Sequence, residues 1–297
     1  MTLTVSDSRF QSLPQLRSHP RDWKTNFYVY PVISRRSGGL SIGVNLNPDA
    51  ACNFDCVYCQ VDRTIPPRVR EVEPERLEQE LRAMIEMAQS AALFEDETFR
   101  GVPEEFRAIK DISFSGDGEP TTCSHFRAAV DIAARLRGEF GLNDTKLVLI
   151  TDACYLTRPV VMEGLAILDS SNGEIWAKLD AGTEEYYRRV NVPNYPLRHV
   201  IENITAAAMV RPVVIQSLFI RLDGVGPSEA EITAYTDRLN EIVDCGGRIK
   251  LVQVYTVARR PAQSFVSSLS DAEVDAIRNE VRSRTGLSAE SFYSAKT

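Results

Sequence analysis

The sequence predicts an α/β fold, a (β/α)6 partial TIM-type barrel with an N-terminal extension and a C-terminal helix. From residue 40 almost to the end of the 297-residue chain, short apolar runs alternate with amphipathic segments of helix length, which is typical of parallel βα units. In two candidate strands, Leu40–Asn47 and Glu174–Asp180, apolar and polar residues alternate, which indicates that helices cover only one face of the sheet. The length suits one large domain or two modest ones.

The apolar runs define the candidate strands, and start signals define the helices. In the first strand, positions 41, 43, 45 and 47 are small or polar, whereas positions 42, 44 and 46 are apolar. Helix starts are marked by Pro74, by Pro159, and by Ser228 with Glu231 at capping-box spacing. The candidate strands are Leu40–Asn47, Asp111–Ser115, Lys146–Thr151, Glu174–Asp180, Val213–Leu222 and Ile249–Val257. The candidate helices are Pro74–Ala92, Thr122–Phe140, Arg158–Leu168, Pro196–Met209, Ser228–Val243 and Asp271–Thr285.

The predicted organisation has three parts: an N-terminal extension over residues 1–39, a core barrel over 40–260, and a C-terminal helical segment over 261–297. The net charge of −7 does not favour nucleic acid as a partner, because generic nucleic-acid binders rely on positive charge. No apolar run is long enough to span a membrane, and the first residues do not resemble a signal peptide. We therefore expect a cytoplasmic protein without membrane contact.

Three of the six cysteines form a CxxxCxxC run, Cys52, Cys56 and Cys59, directly after the first candidate strand. A disulfide scaffold would spread its cysteines through a short secreted chain, so a tight triplet indicates a metal or iron–sulfur site. Three thiolates would leave one iron of a four-iron cluster open to a substrate or cofactor. The alternative is a zinc site with Cys123 or Cys154 as the fourth ligand.

A second motif, Ser115–Pro120, ends the second candidate strand with the letters SGDGEP. Such a turn can bring backbone carbonyls and the Glu119 carboxylate close to a bound cation, although an ordinary surface turn is the alternative. Polar residues also lie at or near the ends of the later strands, where parallel barrels place their sites. They are Thr151, Asp152, Lys178, Asp180, Gln216, Gln253 and Tyr255.

These motifs resemble the radical S-adenosylmethionine (SAM) superfamily, in which an aromatic residue, here Tyr58, precedes the last cysteine. Gly118-Glu119-Pro120 is similar to the family's GGEP motif, although Asp117 departs from its shortest form. The resemblance implies a [4Fe-4S] cluster on the three cysteines, with SAM chelating the fourth iron and Tyr58 lying against the adenine. The SAM contacts that it implies, besides Tyr58, are Gly116, Gly118, Glu119, Thr151, Asp152, Lys178, Asp180 and Gln216.

The resemblance covers roughly residues 40–260. The stretches from Tyr28 to Arg63 and from Leu179 to Pro193 are similar to the branch that contains wyosine-forming tRNA enzymes. Those enzymes carry further cysteines upstream for a second cluster, whereas here no cysteine precedes Cys52. The chemistry of the superfamily is therefore expected, and the substrate stays open.

The resemblance implies an enzyme that reductively cleaves SAM and uses the resulting 5′-deoxyadenosyl radical to abstract hydrogen from a substrate in the barrel. A one-electron donor such as flavodoxin or ferredoxin is the implied partner. The alternatives are a tRNA-modifying enzyme of the wyosine type, an enzyme acting on a protein partner, and a non-catalytic iron–sulfur or zinc redox scaffold.

Arginines recur near the predicted barrel mouth, either as a solvated surface or as a site for an anionic substrate or acidic partner. They are Arg35, Arg36, Arg63, Arg68, Arg70, Arg188, Arg189, Arg259 and Arg260.

Overall fold

The computed structural model describes residues 13–16, 23–259 and 263–294. The strands are β1 (Val29–Ser34), β2 (Gly39–Val44), β3 (Ile109–Phe114), β4 (Lys146–Thr151), β5 (Gly173–Lys178), β6 (Val213–Leu218), β7 (Ile220–Leu222), β8 (Ile249–Tyr255), β9 (Val266–Ser268) and β10 (Ala289–Phe292). The α-helices are α1 (Pro74–Gln89), α2 (Phe126–Glu139), α3 (Pro159–Asp169), α4 (Glu184–Asn191), α5 (Leu197–Val210), α6 (Glu229–Asp244) and α7 (Asp271–Thr285). Short 3-10 turns lie at Pro14–Leu16, Ala92–Glu95, Glu104–Phe106 and Pro120–Thr122.

Eight strands of the described chain form one curled sheet in the order β1-β2-β3-β4-β5-β6-β8-β10. β1 runs antiparallel to β2, and the other neighbours in the sheet are parallel. The six strands β2, β3, β4, β5, β6 and β8 correspond in order to the six predicted strands. The predicted partial barrel is therefore confirmed.

The strand alternation predicted from the sequence matches the two faces of the sheet. Ile42 and Ala177 pack in the apolar core with the surrounding helices, whereas Ser41 and Lys178 line a cavity inside the barrel. A separate small cluster of Val148, Trp176 and Val214 lies on the inner face. The inner face is therefore polar only in part.

The sheet is wider than the sequence predicted. β1 lies within the predicted N-terminal extension and β10 follows the last predicted helix, and both join the main sheet. The predicted strand Val213–Leu222 is two strands, because the amide of Leu218 donates to the Asp180 carboxylate (2.8 Å) at the point where β6 ends. Beyond it, β7 leaves the sheet and pairs with β9.

Helix α4 was not predicted, although its ends carry ordinary signals. The Thr183 hydroxyl accepts a hydrogen bond from the Tyr186 amide (3.2 Å), acidic residues fill the first turn and arginines the last. The capping box predicted at Ser228 is incomplete. Its hydroxyl accepts from the Glu231 amide (3.2 Å), but the Glu231 carboxylate turns away and accepts from the Gly182 amide (2.5 Å). That bond ties α6 to the start of α4.

None of the helices in the described ranges is long and apolar enough to cross a membrane.

Candidate active site

The cysteine loop, Cys52–Cys59, follows β2 at the carboxyl ends of the parallel strands and is docked on the end of α4. The amides of Asp55 and Val57 donate to the carbonyls of Asn191 (3.1 Å) and Val190 (3.0 Å). The Asn191 side chain also donates from Nδ2 to Sγ of Cys56 (3.5 Å). The loop is therefore held by backbone bonds to a helix that the sequence analysis did not find.

The three loop cysteines are free and partly exposed, and their chemistry fits an iron–sulfur cluster. Burial raises the pKa of Cys52 to about 12 and that of Cys56 to about 11, so these thiols stay protonated until a metal lowers their pKa. Across the described ranges, no three His, Cys, Asp or Glu side chains are placed to bind one metal ion. A cluster does not require such convergence, because each thiolate binds a different iron.

The glycine turn, Ser115–Pro120, packs directly against the start of the cysteine loop. The amide of Glu119 donates to the Ala51 carbonyl (2.9 Å). A Cβ on Gly118 would lie 1.9 Å from that carbonyl oxygen, and one on Gly116 would lie 2.2 Å from Oδ1 of Asn45. Glycine is thus required at both positions for the turn to approach the loop so closely.

The Glu119 carboxylate joins the glycine turn to the end of β4 and does not line the cavity. Its Oε1 accepts from the Thr121 amide (3.0 Å) and the Thr151 hydroxyl (2.7 Å), and its Oε2 accepts from the Asp152 amide (2.6 Å). Burial, together with the neighbouring Asp152 carboxylate, raises the pKa of Glu119 to about 8. In this arrangement Glu119 positions the turn.

Three buried oxygens beside the cysteine loop have no hydrogen-bond partner among the residues that the structure describes. They are Oδ2 of Asp152, Oδ1 of Asn191 and the hydroxyl of Tyr187, whose ring packs against Phe54. Asp152 uses its other oxygen to accept from the amide of Cys154 (2.9 Å) and from Nδ2 of Asn53 (3.3 Å). Buried polar atoms are rarely left unpaired. The unpaired oxygens next to the cysteine loop therefore fit a bound ligand that supplies the missing hydrogen-bond partners.

Tyr58, Lys178, Asp180 and Asn191 form one buried polar network at the end of β5. Nζ of Lys178 donates to the Tyr58 hydroxyl (2.7 Å) and lies 3.3 Å from Oδ2 of Asp180. The Tyr58 hydroxyl and Nδ2 of Asn191 (2.7 Å) donate to the same oxygen. Burial alone would lower the pKa of Lys178, but the neighbouring acidic groups together, the Asp180 carboxylate first among them, outweigh burial and raise that pKa. Lys178 is therefore held as a cation.

The polar network and the glycine turn border one cavity of about 340 Å³ inside the barrel. Of the predicted site residues, the cavity is lined by Tyr58, Cys59, Gly116, Gly118, Lys178, Gln216 and Tyr255. The others lie behind this lining; they are Cys52, Cys56, Glu119, Thr151, Asp152, Asp180 and Gln253. The expectation that Asp180 and Gln253 face the cavity is therefore wrong. Asp180 is fully used within the polar network, and Gln253 accepts from Nε2 of Gln216 (3.4 Å).

Sequence reasoning missed two residues that shape the site. Asn191 ends α4, a helix that its local signals could have revealed, but nothing local shows that this end meets the cysteine loop. Asn45 lies beyond the end of β2, where its Nδ2 donates to Asp117 of the glycine turn (2.7 Å). No local signal links positions 45 and 117, because their contact arises from the pairing of β2 with β3.

Comparison with known proteins gives a family match over most of this site. The model of the radical SAM superfamily matches residues 46–235. A UPF0026 protein of Methanocaldococcus jannaschii is 27% identical over 172 residues, which are 56% of this chain and 44% of that protein. The chain thus spans less than half the length of that curated relative.

Solved structures give a likeness of fold. A cysteine-to-serine mutant of spore photoproduct lyase aligns over 92% of this chain and 81% of that chain, with a TM-score of 0.54 and 11% identity. The crystal structure of an archaeal TYW1 aligns over 93% of this chain and 80% of that chain, with a TM-score of 0.46 and 14% identity.

Proposed function

This chain belongs to the radical SAM superfamily, whose members use a [4Fe-4S] cluster and SAM, and on that premise we propose the following function. It is an enzyme in which SAM is reductively cleaved at the cluster, giving a 5′-deoxyadenosyl radical that abstracts hydrogen from a substrate in the barrel. The observation that carries the proposal is the docking of the cysteine loop and glycine turn against each other beside one cavity.

In this proposal the chain's own residues divide three tasks. The three loop cysteines hold the cluster, and Asn191 supports Cys56 through its hydrogen bond to the sulfur. Gly116 and Gly118 expose turn backbone to the cavity, where carbonyls can accept from the SAM ammonium group. The turn keeps its place because Glu119 fixes it to the end of β4.

Tyr58 and Lys178 provide the remaining SAM contacts of the proposal. The Tyr58 ring borders the cavity directly before Cys59 and offers a face for the adenine. Lys178 is held as a cation on the cavity wall, so it can attract the SAM carboxylate without leaving Asp180. Gln216, on the neighbouring strand at the same level, offers an amide to the same ligand. A one-electron donor such as flavodoxin or ferredoxin is the proposed partner.

Anaerobic reconstitution with iron and sulfide, followed by addition of SAM and a reductant, tests this function. We expect about four iron per chain, cluster absorbance and formation of 5′-deoxyadenosine. Alanine at each of the three loop cysteines should abolish all three signals, whereas Cys245→Ala, an exposed thiol elsewhere, should keep them.

The failures of this experiment separate the other functions. Stoichiometric zinc without cluster absorbance contradicts the iron–sulfur assignment. A full iron complement without 5′-deoxyadenosine contradicts catalysis and leaves a redox scaffold. Co-purifying RNA whose binding weakens steeply with salt supports the tRNA-modifying alternative.

A further inference from the structure

Three arginines, Arg35, Arg36 and Arg259, form what we call the arginine cluster. Arg35 and Arg36 lie in the turn between β1 and β2, Arg259 follows β8, and all three line the cavity. β1 and β10 are the two edges of the sheet, so the barrel is open between them. Arg35 donates from Nη1 to the carbonyl of Tyr293, directly after β10, so the turn spans this opening.

Two of these arginines, Arg35 and Arg36, carry more positive charge than the described residues around them neutralise. Among the residues described, no carboxylate lies within ion-pair distance of Arg35 or Arg36. Arg36 instead lies over the rings of Trp176 (5.1 Å) and Tyr255 (5.3 Å). Asp111 lines the same cavity, which gives one carboxylate against the two guanidinium groups of Arg35 and Arg36, and it already accepts from the Ser41 hydroxyl.

Burial and mutual repulsion both act against this arrangement of charge. Burial, with the neighbouring Arg36 and Arg259, lowers the pKa of Arg35 to about 10. Buried cations are normally paired, and an anion placed between Arg35 and Arg36 would offset their repulsion. Arg35 donates one N–H to the Tyr293 carbonyl, so its other N–H groups can bind an anion. The Ser34 and Ser37 hydroxyls line the same cavity.

The arginine cluster also lies outside residues 46–235, the segment that the superfamily model matches. The residues proposed to hold the [4Fe-4S] cluster and SAM all lie inside that segment. The arginines thus border the shared site from outside the matched segment. Nε of Arg259 donates to Oε1 of Gln60 (2.7 Å), the residue after Cys59. The arginine cluster therefore lies next to the end of the cysteine loop.

We propose that the arginine cluster binds an anionic group, a phosphate or a carboxylate, of the substrate that occupies the barrel cavity. A guanidinium fork matches either group with two parallel hydrogen bonds. The anion site stands on the residues above, whereas its assignment to a substrate rests on the proposed function. It would hold the substrate by its charged end while the rest of the molecule extends toward the glycine turn.

Thermal unfolding of the cluster-free protein tests the anion site without any catalysis. The probes are inorganic phosphate, pyrophosphate and malonate, each compared with chloride at equal ionic strength. We expect a saturable rise in the unfolding temperature, with the first two probes reporting a phosphate site and malonate a carboxylate site. No saturable rise with any of them overturns the proposal.

Charge-conserving variants locate the site. Arg36→Lys keeps the charge but loses the fork, so anion affinity should fall by about tenfold. Arg35→Lys serves as a second variant if Arg36→Lys does not fold. The matched control is Arg198→Lys, an 80% exposed side chain paired with Glu202, which should bind the probes as the parent does. Equal binding by parent and Arg36→Lys overturns the proposal.

A separate titration with SAM distinguishes a substrate site from a cofactor site. In the reconstituted protein we expect Arg36→Lys to keep the parent's SAM affinity. A loss of SAM affinity equal to the loss of anion affinity would assign the arginines to SAM and overturn the substrate assignment. If the parent binds anions but forms no 5′-deoxyadenosine, the proposed function fails while the anion site stands.

Discussion

Asp180 is the residue on which the polar network beside the cysteine loop depends most. Its side chain is fully buried and accepts from the Leu218 amide (2.8 Å), the Asn191 amide group (2.7 Å) and the Tyr58 hydroxyl. It is also the carboxylate partner of Lys178, whose side chain is 19% exposed. Asp180→Asn keeps the shape of the side chain and one oxygen, so it isolates the effect of the lost charge.

The size of the effect follows from the groups left without partners. In Asp180→Asn the remaining oxygen can still accept the hydrogen bond from the Leu218 amide. The new NH2 group, however, is itself a donor and faces the donors of Asn191 and Lys178, which then lack an acceptor. Removing one partner of a buried ion pair costs about 3–5 kcal/mol. Because Lys178 keeps some contact with solvent in the cavity, we expect the lower part of that range, about 3 kcal/mol.

Removing Lys178, the other partner of the ion pair, should lower the free energy of unfolding by less. In Lys178→Met the Asp180 carboxylate still has three donors, so we expect a loss of about 1 kcal/mol. The double variant then lacks the isolated cation, and its loss should be smaller than the sum of the single losses by about 2 kcal/mol. This coupling is the signature of a pair that acts as a unit.

Urea unfolding of the cluster-free protein, followed by circular dichroism, measures all four free energies of unfolding. Asp237→Asn, whose carboxylate is exposed and 3.6 Å from Arg284, is the matched control and should change stability by less than about 1 kcal/mol. If Asp180→Asn lowers the free energy of unfolding no more than this control does, the reasoning is refuted. Single losses that add without coupling would refute it as well.

Two further predictions concern the glycine turn. Glu119→Ala removes the acceptor of two backbone amides and two hydroxyls, so unfolding free energy should fall by about 2–4 kcal/mol and SAM should bind more weakly. The exposed Glu163→Ala is its control, and equal stability of the two would contradict the positioning role. Gly118→Ala places a Cβ against a backbone oxygen of the cysteine loop, so it should lower stability by about 1–3 kcal/mol and reduce iron uptake. Gly138→Ala, in a helix with open space around it, should stabilise by up to about 1 kcal/mol, and iron uptake by Gly118→Ala at the parent's level would refute the close packing.

The central fold could be predicted from sequence because its signals are local and repeated. The core strands are short apolar runs, two of which alternate clearly, and start signals at Pro74, Pro159 and Ser228 mark three of the helices between them. β1 was missed for an equally local reason, since Pro31 in its middle argues against a strand. The structure shows that β1 is an edge strand, where the lack of a proline N–H is tolerated.

The candidate site could be predicted only where its residues are close in sequence. The cysteine loop and the glycine turn are each contiguous, so their chemistry is visible in eight and six residues. The partners of Glu119 lie about thirty residues away, at Thr151 and Asp152, and only the pairing of β3 with β4 brings them together. For the same reason the sequence could not show that Asp180 is enclosed by its own hydrogen bonds while Lys178 lines the cavity.

Two different parts of the chain border the cavity, so a cofactor site shared by the superfamily can be combined with a separate site for the substrate. Residues within 46–235 supply the cysteine loop, the glycine turn and the polar network, which the proposed cofactor chemistry requires. The opposite border comes from the β1–β2 turn and from the residues after β8, which lie outside that segment. Because Arg259 bonds to Gln60 and Arg36 lies over Trp176, the two borders are in direct contact. A charged group held by the arginines is therefore fixed relative to the cysteine loop, which is the condition for a selective hydrogen abstraction.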